Sequence, residues 1–200
     1  MCCWRNYHLV LRKHDNDMRI LYACLLAGLY TFTGTASAGD NMMLIESESS
    51  INFLGTKPDG KEQPGGFKNF KVNVNFDSKN RAASTISIEI DAKSIFTKDE
   101  KLTNHLKSPD FFDVRKFPKI TFKSMKIAFG DVPGKGTITG QWNMLGKVVE
   151  IDVPTQVQST EKGLNMIASF KIDRTKWGMN YGKGKIDDEV KVDVKFVLKH

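Results

Sequence analysis

The sequence predicts an all-β protein: an antiparallel up-and-down barrel of about eight strands with one short helix and an apolar interior. Three observations carry this. Apolar and polar residues alternate with a period of two through most of the chain from Ser50 onward. The alternating runs reach about 8–12 residues, beyond the usual mode of about 5–6. Compact turn signals such as "DSKN", "GDVPGKG", "LGK" and "STEKG" separate them, which makes neighbouring strands antiparallel. Strands with one polar face form a sandwich or a barrel. The absence of a Cys-Trp-Cys signature and the length of the strands favour the barrel.

Each element has its own pattern. Ser50–Thr56 is the first strand of this reading, and "KPDGKEQPGG" reads as a turn. Phe70, Val72, Val74 and Phe76 share one face, as do Ile86, Ile88 and Ile90. Ile120 and Phe122 begin a strand whose phase then slips to Met125, Ile127 and Phe129, which predicts a bulge near Ser124. Ile138, Trp142 and Met144 share a face with Gly140 between them. Val149, Ile151 and Val153 follow, then Leu164, Met166, Ala168, Phe170 and Ile172. The last strand sets Val190, Val192, Val194, Phe196 and Leu198 against Lys191, Asp193, Lys195 and Lys199. "TKDEKLTNHLK", 97–107, lacks alternation and predicts the helix, with Thr97 as N-cap and Leu102 and Leu106 on one face.

The start of the chain reads differently. Met18–Ala38 has a basic start at Arg19, an apolar run from Ile20 to Tyr30, and an A-x-A site at Ala36–Ala38. That is the layout of a cleaved signal peptide, with Met18 the preferred start. The apolar run is shorter than the roughly 20 residues that span a bilayer. The expected domains are therefore a signal peptide over 1–38 and a barrel over 39–200. Cys2, Cys3 and Cys24 all fall in the leader, so the barrel is expected to hold together by its core, without disulfides. The net charge is +7, of which the leader carries +2 from four basic and two acidic residues. The lysines of the barrel alternate along outer strand faces rather than forming a patch, and no nucleic-acid motif accompanies them. No nucleic-acid partner is expected.

Nothing in the sequence assembles catalysis. There is no G-x-S-x-G, no phosphate-binding glycine loop, no H-E-x-x-H and no cysteine nucleophile in the barrel. His105 is its sole internal histidine, too few for a metal site of three or four ligands. The reading is not an enzyme and needs no cofactor.

One block is more specific. "IDAKSIFTKDEKLTNHLKSPDFFDVRKFPKITFKS", 90–124, resembles the signature of the YceI-like family of polyisoprenoid-binding, lipocalin-like proteins. "GGFKNF", "ITGQWNMLGKVVEIDVP", "IDRTKWGMNY" and "DEVKVDVKFVL" match further along, in order. The resemblance implies a lipocalin-like eight-stranded barrel with the helix beside its mouth, a long apolar cavity for an isoprenoid or similar amphiphile, and export to the periplasm. Two departures stand out. Asn104 occupies a position where many relatives have an acid, and "SESSINFLGTKPDG" lacks the histidines frequent in their first strand.

Phe111 and Phe112, between Asp110 and Asp113, read either as a plug at the helix end of the barrel or as the lip of a cavity. The two aspartates are expected to cap backbone N–H groups of the connector. His105 reads as a local hydrogen-bonding residue or as a head-group contact. Arg174 and Trp177 could stack, guanidinium over indole, and close one end. By residue pattern alone, the inner face is either a filled core or a cavity wall; the resemblance implies a cavity. The expected ligand contacts are Phe53, Phe67, Ile88, His105, Leu106, Phe111, Phe112, Phe122, Trp142, Met144, Met166 and Phe170. Together these readings describe a periplasmic protein that sequesters or carries an isoprenoid or other amphiphilic lipid. The polar head is expected near the helix and the connector. A polyprenyl lipid or a quinone would be cargo rather than cofactor, collected through transient contact with a membrane. The rival reading is a solid barrel that acts as an interaction scaffold of the cell envelope. Self-association, if any, is expected as a twofold dimer through an exposed strand or the helix.

Overall fold

The computed structural model describes residues 40–161 and 163–200. The expected signal peptide over 1–38 lies outside them. Eleven strands run in chain order: β1 Asp40–Leu44, β2 Ser50–Thr56, β3 Glu62–Phe67, β4 Phe70–Phe76, β5 Thr85–Asp91, β6 Ile95–Thr97, β7 Lys119–Phe129, β8 Lys135–Met144, β9 Lys147–Thr160, β10 Gly163–Asp173 and β11 Glu189–Lys199. One helix, α1 Glu100–Leu106, lies between β6 and β7.

The strands close into an eight-stave antiparallel barrel, as the alternation requires. The hydrogen-bonded order is β1-β4-β5-β7-β8-β9-β10-β11, and β1 pairs back onto β11. β1 and β2 form a single broken stave: β1 pairs with the end of β11 at Leu44 and Leu198, and β2 pairs further along at Ile51 and Val194. Register follows the inward residues. Leu164 faces Leu198, Met166 faces Phe196, Ala168 faces Val194 and Phe170 faces Val192 across β10 and β11. A slip of one residue would turn all of these outward, so the apolar face locks the pairing.

The predicted bulge is present: the β7–β8 register shifts between Ser124 and Lys126. It expels Met125, which is exposed, while Ile127 and Phe129 return to the inner face. Reading Met125 with them is therefore corrected, because the bulged residue has no partner across the ladder. Gly140 lies opposite Ser124, and a Cβ there would stand 2.4 Å from the Phe122 ring. The ring of Phe122 fills the place of the missing side chain.

Three short strands escaped the sequence reading. "KEQPGG" is not only a turn: β3 pairs along the whole of β2, from Ile51 opposite Phe67 to Thr56 opposite Glu62. Its glycines and proline hide it, since they are poor strand formers. Gly65 is required there because the Phe53 ring lies 2.3 Å from where its Cβ would be. β6 pairs with β3 over only three residues, and β1 lies in the stretch the pattern left unassigned.

The helix is shorter than predicted. Its N-cap is Asp99, not Thr97; the Asp99 carboxylate accepts from the N–H groups of Lys101 and Leu102. The Thr97 hydroxyl instead donates to the Asp99 carbonyl and accepts from the Thr103 hydroxyl, which itself accepts from the Thr97 N–H, tying β6 to the helix. Leu106 is buried and Leu102 packs against the core, as their spacing dictates.

Gly140→Val forces the Phe122 ring out of its seat and is expected to destabilise the barrel by about 1–3 kcal/mol, measured as the midpoint shift in urea unfolding.

Candidate functional site

The inward faces do not fill the barrel. Three apolar chambers lie in a row inside it. The chamber near α1 holds about 100 Å³ and is walled by Phe53, Phe67, Leu106, Phe111, Phe112, Met144 and Met179, among others. The middle chamber holds about 50 Å³, between Ile88, Phe122, Met166, Ala168, Phe170 and Phe196. The third, about 100 Å³, lies at the end where the β4–β5, β7–β8 and β9–β10 turns gather, and Val74, Phe76, Ile127, Phe129 and Leu164 wall it. Shared walls join them: Trp142, Ile90 and Ile120 border the first two chambers, and Ile86, Ile138 and Met166 border the last two. Cavities of this size with walls of Leu, Ile and Phe stay dry, as an engineered one of about 150 Å³ does.

The two ends differ. At the helix end, almost every wall residue is buried or half-buried, Asn52 being the exposed one. Phe111 is 5% exposed and Phe112 packs edge-on against Phe67, with ring centres 5.7 Å apart. Both rings therefore plug this end and also touch its chamber. The connector owes its tightness to Asp113, whose φ of 40° is left-handed. Its carbonyl accepts from the N–H groups of Lys116 and Phe117. An aspartate tolerates that conformation better than most residues do. The expected capping by Asp110 is corrected: its carboxylate meets Nε2 of His105 at 2.9 Å. That contact leaves it turned to the helix rather than to the connector backbone.

Arg174 completes the seal. It is 3% exposed, and all five of its N–H donors have acceptors. Nε donates to the Asp187 carbonyl, one terminal nitrogen to Met179 and Tyr181, and the other to Ile186 and the Asp188 carboxylate. The guanidinium thus gathers the segment 179–188 under the barrel and does not stack on Trp177 as expected. Trp177 has its own anchor: its N–H donates to the Trp142 carbonyl at 3.0 Å, and the two indoles meet edge to face. The Asp173 carboxylate starts this turn by accepting from both the backbone N–H and the hydroxyl of Thr175. Those two bonds hold its pKa below the ordinary aspartate value.

The opposite end is bordered by exposed residues. Arg81, Thr85, Phe129, Lys135 and Ser159 all line the third chamber and all reach solvent. Exposed lining residues therefore gather around the chamber remote from α1, whereas buried and half-buried ones line the chamber beside it.

Of the expected contacts, Phe53, Phe67, Leu106, Phe111, Phe112, Trp142 and Met144 come together around the helix-end chamber. Ile88, Phe122, Met166 and Phe170 join Trp142 around the middle one. His105 lines none of the three. It packs edge-on to Phe111 and Tyr181 on the outside of the plug. Alternation marks Ile86 and Ile138 as inward without singling them out. Arg174, Met179 and Ile186 were missed as wall residues, because they come from a turn whose fold no local pattern encodes. The Nε1 of Trp142 is the one buried side-chain polar atom without a hydrogen-bond partner among the described residues.

A separate groove of about 520 Å³ runs outside the wall, where β1 leaves β4 and β2 has turned to β3. Lys68, Lys71, Glu89, Asp91 and Asn52 mix there with Phe67 and Phe96, so it lacks the chambers' apolar character. Among the described residues no cluster of three or more His, Cys, Asp or Glu could hold a metal.

A family model described as the YceI-like domain matches residues 43–198, from β1 through β11. The chain belongs to the YceI-like family. Protein YceI of Salmonella newport is 31% identical over 120 residues, 58% of this chain and 63% of that protein. A Staphylococcus aureus (strain USA300) relative is 33% identical over 135 residues, 66% of this chain and 79% of that one. An Enterobacter sp. relative is 32% identical over 127 residues, which covers 61% of this chain and 66% of its own length. Among solved structures, Burkholderia cenocepacia BcnA superposes with a TM-score of 0.73 at 22% identity, covering 79% of this chain and 100% of that one. A Saccharophagus degradans structure described as a polyisoprenoid binding domain reaches 0.62 at 14% identity, with 80% and 97% covered. The YceI-like barrel is thus shared by proteins that keep little of its sequence.

Arg174→Met leaves five acceptors without their donor, and the YceI-like barrel is expected to lose at least about 3 kcal/mol, read from chemical denaturation. Asp173 adds a pH dependence of defined sign. Its pKa is lowered by folding, so its contribution is complete above the unfolded value and disappears as pH falls through the folded one. Thr175→Val is expected to bring the Asp173 titration, followed by carboxyl-carbon NMR, back up toward the ordinary aspartate range.

Proposed function

We propose that this YceI-like protein is an exported binding protein that takes one isoprenoid or similar amphiphilic lipid into its barrel. The observation that carries the reading is the row of three dry chambers along the barrel axis, lined almost wholly by apolar side chains. Each methylene moved from water into such a space is worth about 0.8 kcal/mol. A few isoprene units therefore supply ample affinity without any polar contact. Family membership supports the reading, and so does the described polyisoprenoid binding of the Saccharophagus degradans neighbour. The leader pattern over 1–38 supports a periplasmic location.

The chain of the cargo would run toward the helix end, where the walls are sealed. Its head would stay at the exposed end, between Arg81 and Lys135, which suits a polyprenyl phosphate or the ring of a quinone. The middle chamber is the narrow point. Met166 stands between it and the outer chamber and can change shape at little cost, because its unbranched side chain turns about three bonds. Sequestration needs no chemical step, and the reading is of a carrier rather than an enzyme.

Native mass spectrometry of the protein from its own cells, followed by organic extraction, tests this. A bound isoprenoid species is expected. Ala168→Leu fills the middle chamber and is expected to abolish uptake of added isoprenoid quinone while leaving the melting temperature unchanged or higher. A ligand-free mass with no uptake of quinone or polyprenyl lipid would make the barrel a solid scaffold instead.

A further inference from the structure

The lipid-binding reading leaves open how an insoluble cargo reaches a sealed barrel, and the following inference rests on that reading. The exposed end of the cavity carries an unusual pair of side chains. Phe129 is 52% exposed yet also lines the outer chamber, so one side of its ring touches the cavity and the other touches water. Val132, 53% exposed, lies three residues further on, at the tip of the same β7–β8 turn. The turn is a firm platform. The N–H of Gly130 bonds the Lys135 carbonyl, that of Lys135 bonds Val132, and Gly134 accepts from Val157 of β9. The apolar surface of the chamber therefore continues without a break onto an outward-pointing hairpin.

The charged residues that line this chamber are both basic. Arg81 stands on the β4–β5 side and Lys135 on the β7–β8 side, both exposed, and no acidic side chain lines this chamber. Neither is among the ion pairs of the described residues. Asp77, the nearest acid in sequence to Arg81, is buried and accepts from the N–H groups of Lys79 and Asn80. Three acids stand at this end outside the lining: Asp40 opposite Phe76, Asp131 beside Val132 on the hairpin tip, and Glu161 on the β9–β10 turn.

We propose that this end docks on a lipid bilayer containing anionic lipids. Phe129 and Val132 enter the acyl region while Arg81 and Lys135 meet the phosphates, the arrangement of surface-bound proteins that combine apolar anchors with basic residues. Docked in this way, the mouth is continuous with the hydrocarbon, and cargo slides between bilayer and outer chamber without exposing its methylenes to water.

Val132 tests the docking without touching the cavity, since it lines no chamber. The chain from Gly39 suffices, because it contains every strand and the buried core of the described residues. Flotation with phosphatidylglycerol–phosphatidylcholine vesicles reads docking. Quenching of tryptophan emission by an isoprenoid quinone reads uptake, with the quinone supplied either in those vesicles or diluted from ethanol. Val132→Asp is expected to weaken flotation and to slow uptake from vesicles by roughly tenfold or more, while uptake from ethanol stays at the wild-type rate. Val148→Asp removes a similarly exposed valine from the start of β9 at the other end and is expected to change neither. High salt or vesicles of phosphatidylcholine alone should weaken flotation of the wild type. The proposal is overturned if Val132→Asp floats and loads from vesicles like the wild type, or if Val148→Asp impairs both as much. Absence of uptake from ethanol in the wild type overturns the lipid-binding reading instead, and flotation then decides the docking alone.

Discussion

The barrel depends on one buried cation. Arg174 sits at the end of β10, where the chain must leave the wall, turn beneath the barrel and re-enter as β11. The turn from Met179 to Asp188 has little regular structure and would present bare carbonyls to a dry interior. A guanidinium is suited to this task, because its five donors lie in a fixed plane and it keeps its charge when buried. With four carbonyls and one carboxylate arranged around it, the desolvation of the charge is offset and the turn has one conformation. Met179 is thereby placed in the wall of the helix-end chamber, and Trp177 packs beside Trp142.

From that closure the polarity of the molecule follows. One end is stopped by the Arg174 turn and by Phe111 and Phe112, which are held by a left-handed Asp113 and by the helix. The other end has only hairpin turns, which satisfy their own backbone and need no lid. In the proposed binding the hydrocarbon would lie toward the helix end and the polar head near Arg81 and Lys135.

The interior is also the place where the structure forgoes close packing. Interiors at native density leave few voids larger than a water molecule. Here three remain in a row, flanked by Met166 and by the rings of Phe122, Trp142 and Phe170. Large flat side chains on eight staves cannot all meet at the centre without gaps. Gly140 and Gly65 show how the wall adjusts to them, by giving up a side chain where a ring lies flat. The cost is lost core contacts, and the buried Nε1 of Trp142 adds an unpaired donor to it. A core built only for stability would be expected to close these spaces.

Much of this was legible in the sequence because a barrel strand carries its own address. Alternation with period two states which residues face inward, so the walls from Phe70–Phe76 to Glu189–Lys199, the bulge near Ser124 and the inward positions of Phe122, Trp142, Met144, Met166 and Phe170 could be read directly. Strands with glycine and proline, such as β3, carry a weaker address and were read as a turn. Other features belong to no single segment. Arg174 looks like any surface arginine until the turn 179–188 wraps around it, and His105 looks like a ligand contact until Phe111 comes between it and the cavity. Which end of the barrel is open depends on where remote turns are stopped or left bare. The sequence by itself determined the inner face, since that is a local property of a pleated strand. The tertiary structure alone decided the seal, the chambers and the opening, because they arise where side chains far apart in the chain meet or fail to meet.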